Sequence, residues 1–202
     1  MNKPTPEQMK QELIEEHREI NIYDDWAEPT YEWFEEYLAT RGIEWKWEHN
    51  SGRAREMTWS GFCSQGDGFS FGGKLQGRDV FKFIGEKYPM IRKLIDEGQW
   101  FKATWSTSHR HNHTTPVEID HETFRDMAGD NPLVDIWDDE LSKEVENFET
   151  DLEEDIDSLC SMMYRKLEEE YEYLTSDKLV WEGIDANELN SITNDEGEIT
   201  WL

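Results

Sequence analysis

The clearest hydrophobic pattern in the chain lies in its last third. From Trp137 to Tyr171, apolar residues recur at steps of three and four, close to an 11-residue repeat with about 3.67 residues per turn. Such a repeat keeps one face of a nearly straight helix apolar. It predicts one helix over residues 135–174, on the order of 60 Å long at a rise of about 1.5 Å per residue.

The rest of the chain mixes helical and strand-like patterns. Helical spacing predicts helices over residues 5–20, 30–42, 79–97 and 176–187. Alternating apolar residues from Ile43 to Trp47 predict a strand, and further strands are expected over residues 57–62, 69–75, 100–106, 114–119 and 198–202. The predicted fold class is therefore α+β, a small antiparallel sheet packed by helices with a long acidic C-terminal helix.

Charge divides the chain into two parts. Of 47 Asp and Glu and 20 Lys and Arg, residues 1–130 hold 24 acids and 16 bases, whereas residues 131–202 hold 23 acids and 4 bases. We expect residues 1–130 to form an α+β core with a glycine-rich hairpin. Residues 131–202 would add the long acidic helix, a short helix and a terminal strand, packed on the same core.

The formal net charge of −27 narrows the classes of partner. A field of this sign disfavours direct binding to nucleic acid or to an anionic membrane and favours a protein with a basic surface. Disorder is not expected, because 10 Trp, 9 Phe and 7 Tyr supply a large apolar surface. The polar N-terminal segment and the lack of a long apolar run predict no signal peptide and no membrane-spanning helix. Cys63 and Cys160 are expected to be reduced thiols of a cytoplasmic protein.

The acids of the predicted long helix form the first candidate site. Residues 135–157 hold 12 acids and one lysine, and like charges four residues apart destabilise a helix. At about one charge per 3 Å, the helix resembles the charge spacing along one strand of DNA. One interpretation is a solvated face that favours solubility. The other is a partner-binding surface that would contact a basic groove. Its acids are Asp138, Asp139, Glu140, Glu144, Glu153, Glu154 and Asp155.

The glycine-rich segment between two predicted strands is the second candidate site. Its loop residues are Ser64, Gln65, Gly66, Asp67 and Gly68. The two glycines permit positive φ and close approach of a ligand or another chain. The segment lacks the features of a P-loop, an EF-hand or a nucleophile elbow. The simpler interpretation is a β-hairpin in which Asp67 bonds to its own backbone.

Three alternating histidines form a weaker candidate metal site. His109, His111 and His113 would project from one face of a strand, although an exposed loop without a ligand is the simpler interpretation. The carboxylates form no compact catalytic signature, and Asp67 would act with a histidine only if the fold brought the two together. We therefore expect no cofactor and favour a protein that is not an enzyme.

Two motifs resemble those of small, largely uncharacterised proteins of tailed bacteriophages. The first is Ser-Gly-Phe-x-Ser-Gln-Gly-Asp-Gly-x-x-Phe at residues 60–71, and the second is Tyr-Glu-Tyr-Leu-Thr-Ser-Asp at residues 171–177. In those proteins a Gly-x-Tyr-x-His segment follows the hairpin, whereas here residues 108–113 lack the Gly and the Tyr. Some of those relatives carry antitoxin-like labels. The resemblance implies a phage origin and action in the cytoplasm of an infected bacterium, and it implies no known activity.

These observations favour a phage-encoded, non-enzymatic inhibitor. It would bind a host defence or nucleic-acid-processing protein, such as a CRISPR-Cas protein or a restriction nuclease, through an acidic surface that imitates DNA. One alternative is a protein, enzymatic or not, that binds a small ligand or metal at the Ser64–Gly68 loop and the histidines. Another is an antitoxin that binds a basic toxin. The oligomeric state is left open.

Overall fold

The segment with the 11-residue apolar repeat folds as one helix, α5, over Val134–Leu174. In the computed structural model, its apolar stripe is buried along most of its length, as at Leu141, Phe148 and Ile156. The structure describes residues 5–46, 55–62, 67–107, 116–124, 134–193 and 199–201. The helices and the antiparallel sheet confirm the predicted α+β class.

Contacts between residues divide the chain into two compact units. One comprises Tyr31–Arg165, and the other joins Met1–Thr30 to Lys166–Leu202. These boundaries follow packing, whereas the division expected from the sequence followed charge. Most of α5 belongs to the first unit, and its last two turns belong to the second.

The first unit contains a four-stranded antiparallel sheet in the order β1-β4-β5-β6. Its strands are β1 (Glu44–Trp45), β4 (Gly73–Gln76), β5 (Phe101–Trp105) and β6 (Glu118–His121). Buried and half-buried residues alternate along β5, as expected for a strand with one face on the core. Gly73 lies under the Trp105 ring, where a Cβ atom would come within 2.3 Å of Trp105 Cζ2. This close approach requires glycine.

A separate hairpin consists of β2 (Met57–Ser60) and β3 (Gly68–Phe71), which pair antiparallel. The sequence predicted one strand over residues 69–75, and this prediction is wrong, because the chain changes sheet at Gly72. The Gly72 N–H donates to the Glu56 carbonyl at 2.9 Å, and the next residue enters β4. A Cβ atom at Gly72 would lie 2.5 Å from the Glu56 carboxyl carbon, so a larger residue would not fit without a shift.

Aromatic side chains fill the core beneath the sheet. Phe34 is fully buried and makes edge-to-face contacts with Trp45, Phe69 and Phe71 at centroid distances of 5.3–5.8 Å. Phe34 comes from α2 (Glu28–Thr40), the second predicted helix. Edge-to-face pairs of this kind contribute about 0.5–1.5 kcal/mol beyond the burial of area.

The helix predicted over residues 79–97 is two helices. A 3₁₀ turn at Gly77–Asp79 leads into α3 (Val80–Ile84), and α4 follows at Pro89–Asp96. Gly85 ends α3 with φ +54°, a conformation that glycine adopts readily. Pro89 starts α4 because proline disfavours the helical conformation of the residue before it.

The second unit is built from α1 (Pro6–Glu16), the end of α5, α6 (Asp177–Ala186) and a β-hairpin of β7 (Ser191–Thr193) and β8 (Ile199–Trp201). A capping box of Thr5 and Gln8 starts α1, at the beginning of the helix predicted over residues 5–20. Ile14 of α1 packs with Val180 and Ile184 of α6.

Two side chains satisfy carbonyl groups at the end of α5. Asn21 Nδ2 donates to the Leu174 carbonyl at 3.1 Å, and Arg18 donates to the Thr175 carbonyl at 3.1 Å. These bonds supply donors to carbonyl groups that have no partner within the helix at its C-terminus. No helix among the described residues is both long and apolar enough to cross a membrane.

Candidate partner-binding surface

Helix α5 carries 16 acidic and 3 basic residues, and the structure separates many of these acids by environment. At about 3.6 residues per turn, residues beside the buried apolar stripe face neighbouring elements, and residues opposite the stripe face solvent. Within residues 138–155, we call the acids bonded to other elements the anchor acids and the exposed acids without an ion pair in the described structure the ridge acids. The anchor acids are Asp138, Glu144, Asp151, Glu153 and Asp155, and the ridge acids are Asp139, Glu140, Glu146 and Glu154.

Glu144 is the N-terminal cap of another helix. Its Oε2 atom accepts hydrogen bonds from the backbone N–H groups of Met90 at 2.8 Å and Ile91 at 3.1 Å, in the first turn of α4. Tyr88 occupies the N-cap position without a capping side-chain bond, and Pro89 has no N–H. Glu144 therefore supplies from α5 the acceptor that α4 lacks locally.

Burial opposes the charge of this cap. Desolvation raises the pKa of the Glu144 carboxyl above its ordinary value, although the bonds from Ile91 and Met90 act in the lowering direction. The like charge of Glu140, one turn away, raises the pKa further. The two hydrogen bonds therefore form although burial disfavours the charged form of the Glu144 carboxyl.

Two further anchor acids bind cations on the same flank of α5. The Lys87 ammonium and the Tyr88 hydroxyl both donate to the Asp151 carboxylate, and these bonds hold its pKa below the ordinary value. Arg41 Nη2 donates to Asp155 Oδ1 at 2.9 Å. Burial nevertheless raises the pKa of Asp155, because its Oδ2 atom is buried and has no hydrogen-bond partner among the described residues.

The other flank of α5 holds the segment that contains β6. Asp138 Oδ1 accepts from the backbone N–H of Phe124 at 2.9 Å, and Glu153 Oε1 accepts from that of Val117 at 3.4 Å. Both Phe124 and Val117 are buried. These two acids therefore attach the ends of an edge strand to the helix.

The ridge acids lie opposite the buried stripe. All four side chains are exposed, and within the described part of the chain none of them forms an ion pair. From Asp139 to Glu154 the helix rises about 22 Å, so the ridge carries about one carboxylate per 6 Å. Lys143 is also exposed on this face. The ridge is therefore less densely charged than one strand of DNA, at one charge per about 3.4 Å.

The seven residues predicted to bind a partner fall into both sets. Asp139, Glu140 and Glu154 are ridge acids, whereas Asp138, Glu144, Glu153 and Asp155 are anchor acids. The predicted set omits Glu146, although its place one residue after Val145 and two before Phe148 turns it away from the apolar stripe. The partners of the anchor acids carry no signal in the sequence, because they lie about 14 to 114 positions away along the chain.

A pocket of about 380 Å³ opens beside the ridge. It lies between the end of α2, the α3–α4 connection and α5. Its lining includes the two ion-paired cations Arg41 and Lys87, the apolar side chains of Phe83 and Ile84, and the ridge acid Glu154. The pocket thus combines an apolar wall with paired and unpaired charges.

The described part of the glycine-rich segment supports its hairpin. Ser60 Oγ donates to Asp67 Oδ1 at 3.0 Å, and Ser60 pairs with Gly68 across the two strands. Beside it, the Tyr164 hydroxyl of α5 donates to the Gly61 carbonyl at 3.2 Å, and its ring lies 5.5 Å from that of Phe62. Asp67 and the Ser-Gly-Phe part of the motif therefore hold the hairpin together and to α5. Ser64, Gln65 and Gly66 lie outside the described residues.

The histidine cluster is also outside the described residues, at His109, His111 and His113. Elsewhere, the described residues contain no group of three or more His, Cys, Asp or Glu side chains arranged to hold a metal ion. The thiol of Cys160 is largely buried against the core, and this burial raises its pKa to about 12.

Comparison with known proteins identifies a family of unknown function. The family described as "Domain of unknown function (DUF8835)" matches residues 26–177, about three quarters of the chain, and the protein belongs to this family. The matched region contains the β2–β3 hairpin, the four-stranded sheet and all of α5. No curated protein and no solved structure matches the chain.

Proposed function

We propose that the protein is a non-enzymatic inhibitor that binds a basic surface of a host defence or nucleic-acid-processing protein through the ridge acids. The resemblance to bacteriophage proteins supports an action in the cytoplasm of an infected bacterium. The observation that carries the proposal is the contrast on α5, where the anchor acids are bonded to other elements and the four ridge acids form no ion pair within the described residues. Surface carboxylates without internal partners retain their charge for another protein.

The spacing of the ridge refines the kind of partner. About one carboxylate per 6 Å suits individual ion pairs with lysines and arginines of a protein groove, and is too sparse to reproduce a phosphate backbone. An exposed apolar residue lies on the same face. Ile136, at 55% exposure, is three residues before Asp139 and four before Glu140. An apolar residue beside charged ones is typical of a protein interface with a desolvated centre and a polar rim.

Capture from bacterial lysate tests the proposal. The wild-type chain and a ridge variant (D139N, E140Q, E146Q and E154Q together) are immobilised side by side, and retained proteins are identified by mass spectrometry. We expect a basic protein that the wild type retains, that salt releases, and that the ridge variant loses. Equal retention by both chains would contradict the proposal.

Competition then tests which surface of the partner is used. If the ridge occupies a nucleic-acid groove, duplex DNA should displace the purified partner from the wild-type chain. An anti-defence inhibitor and an antitoxin would both bind a basic protein through the ridge acids. The identity of the partner therefore distinguishes the two functions. A partner that binds DNA and this protein simultaneously would contradict inhibition at the groove.

A further inference from the structure

The described residues that line the pocket beside the ridge carry one more negative than positive charge. It presents three carboxylates, of Asp151, Glu154 and Asp155, and two cations. Asp151 binds Lys87, and Asp155 binds Arg41, so both cations are already paired. Glu154 is exposed and forms no ion pair within the described residues. One negative charge therefore remains at the pocket.

The apolar part of the lining suits a long aliphatic side chain. Phe83, Ile84 and the ring of Tyr88 form this part. The guanidinium carbon of Arg41 lies 5.7 Å from the centre of the Phe83 ring, which is within the range of a cation–π contact. Long basic side chains place their methylene groups on such surfaces and keep the charged end near water. The volume of about 380 Å³ is at the lower end of the range for ligand sites.

We propose that this pocket receives the side chain of a lysine or arginine from the basic partner, with its charged end against Glu154. The inference rests on the proposed function, because Glu154 belongs to both the ridge and the pocket. Lys87 and Arg41 stay paired with Asp151 and Asp155, so the entering cation meets Glu154, which forms no ion pair within the described residues. An anionic ligand would instead meet three carboxylates at close range.

Titration with small probes tests the pocket without the partner. The full-length, isotope-labelled protein is titrated with N-acetyl-arginine amide and, as a neutral analogue of similar shape, N-acetyl-citrulline amide. Amide resonances are followed by NMR. We expect the arginine probe to cause saturable shifts at Phe83, Ile84 and Ser158, and the citrulline probe to bind several times more weakly. Equal effects of the two probes, or shifts confined to other regions, would overturn the inference.

Two variants assign the charge that recognises the probe. E154Q should weaken binding of the arginine probe by about two- to fivefold, the size expected for one exposed ion pair. E32Q removes an exposed acid of α2 that does not line the pocket and should leave binding unchanged. An equal effect of E154Q and E32Q would reduce the interaction to general charge attraction and overturn the inference.

The experiments give different results if the pocket inference is wrong and if the proposed function is wrong. If the ridge variant loses the partner while wild type shows no pocket binding of the arginine probe, only the pocket inference fails. If the arginine probe binds but the ridge variant retains the partner, the proposed function fails. Spermidine that binds the pocket much more tightly than the arginine probe would assign it to a free polyamine and overturn its assignment to a partner side chain.

Discussion

The anchor acids and the ridge acids of α5 share one residue chemistry and one helix, yet they have different partners. Glu144 binds two backbone N–H groups of α4, whereas Glu146, two residues later, is exposed on the opposite side. Asp151 binds Lys87 and Tyr88, whereas Glu154, less than one turn later, has no ion pair among the described residues. Position around the helix therefore decides what each carboxylate contributes.

This difference explains why the helix tolerates so many like charges. Repulsion between acids one turn apart destabilises an isolated helix by a few tenths of a kcal/mol per pair. In this fold, hydrogen bonds to α4, to the segment around β6 and to two cations compensate for part of that repulsion. The ridge acids have no such compensation within the described residues, and a binding role is our proposed reason for them.

The largest expected effect concerns the buried side of α5, where Cys160 serves as a reporter. In a C63S background, Cys160 should react with a thiol reagent at least a hundredfold more slowly in the native protein than in urea. Its pKa of about 12 leaves little thiolate at neutral pH. Absorbance of the released reagent measures both rates. Comparable rates would show that this side of the helix is open to solvent.

Loss of the Glu144 cap should destabilise the protein more than loss of a ridge acid. Glu144→Ala leaves two N–H groups of α4 without their acceptor, and we expect a loss of about 1–2 kcal/mol in the free energy of unfolding. Glu146→Ala is the matched control on the same helix and should change it by less than about 0.5 kcal/mol. Urea unfolding measures both, and equal losses would remove the distinction between the two sets of acids.

The stabilities of E144Q and D151N, each relative to wild type, should change in opposite directions with pH. The pKa of Glu144 is raised in the folded state, so its contribution to stability is present below the unfolded pKa and is lost as pH rises through the folded value. The pKa of Asp151 is lowered, so its contribution is present above the unfolded pKa and is lost as pH falls. With rising pH, E144Q should therefore gain stability relative to wild type, and D151N should lose it.

Urea unfolding at a series of pH values from about 4 to 7 measures these differences, which span the ordinary carboxyl pKa. The wild-type chain at each pH is the reference, which cancels the contribution of the many other acids. Parallel trends for the two variants would contradict the assigned environments of Glu144 and Asp151.

The smallest expected effect on stability belongs to the ridge. Neutralising all four ridge acids should leave the midpoint of thermal unfolding unchanged or slightly raised, because it removes repulsion and no internal bond. Circular dichroism measures the midpoint. A clear loss of stability would mean that the ridge acids, like the anchor acids, hold the fold together.

Local patterns predicted the elements with strong periodicity. The apolar repeat located α5 to within one residue at its start, and the helix predicted over residues 5–20 located the start of α1 to within one residue. Where a short element depends on tertiary contacts, prediction failed. The chain changes sheet at Gly72, whose N–H donates to the Glu56 carbonyl beside β2 and whose carbonyl accepts from the Lys46 N–H beside β1. One predicted helix is divided between Gly85 and Pro89. Gly85 and Pro89 are evident in the sequence, but the helical spacing of apolar residues on both sides of them predicted one continuous helix.

The candidate site was predictable only in part. The count of acidic residues predicted the acidic helix. Helical geometry alone also places Glu146 away from the apolar stripe. Neither method shows that Asp155 meets Arg41, 114 positions earlier, or that Glu144 caps α4. Those contacts depend on how distant segments pack, and so the sequence alone overstated the charge available to a partner.

The central claim is that partner binding depends on where four charges lie and not on the total charge of the chain. The direct test measures the dissociation constant of the captured partner for three chains by calorimetry at fixed salt. These are the wild type, the ridge variant and a charge-matched variant with E12Q, E16Q, E32Q and E36Q, all exposed acids outside α5.

Both variants change the net charge by the same amount. With each exposed ion pair contributing up to about 1 kcal/mol, we predict at least a tenfold loss of affinity for the ridge variant. The charge-matched variant should stay within about twofold of wild type. Equal losses in the two variants would contradict the claim.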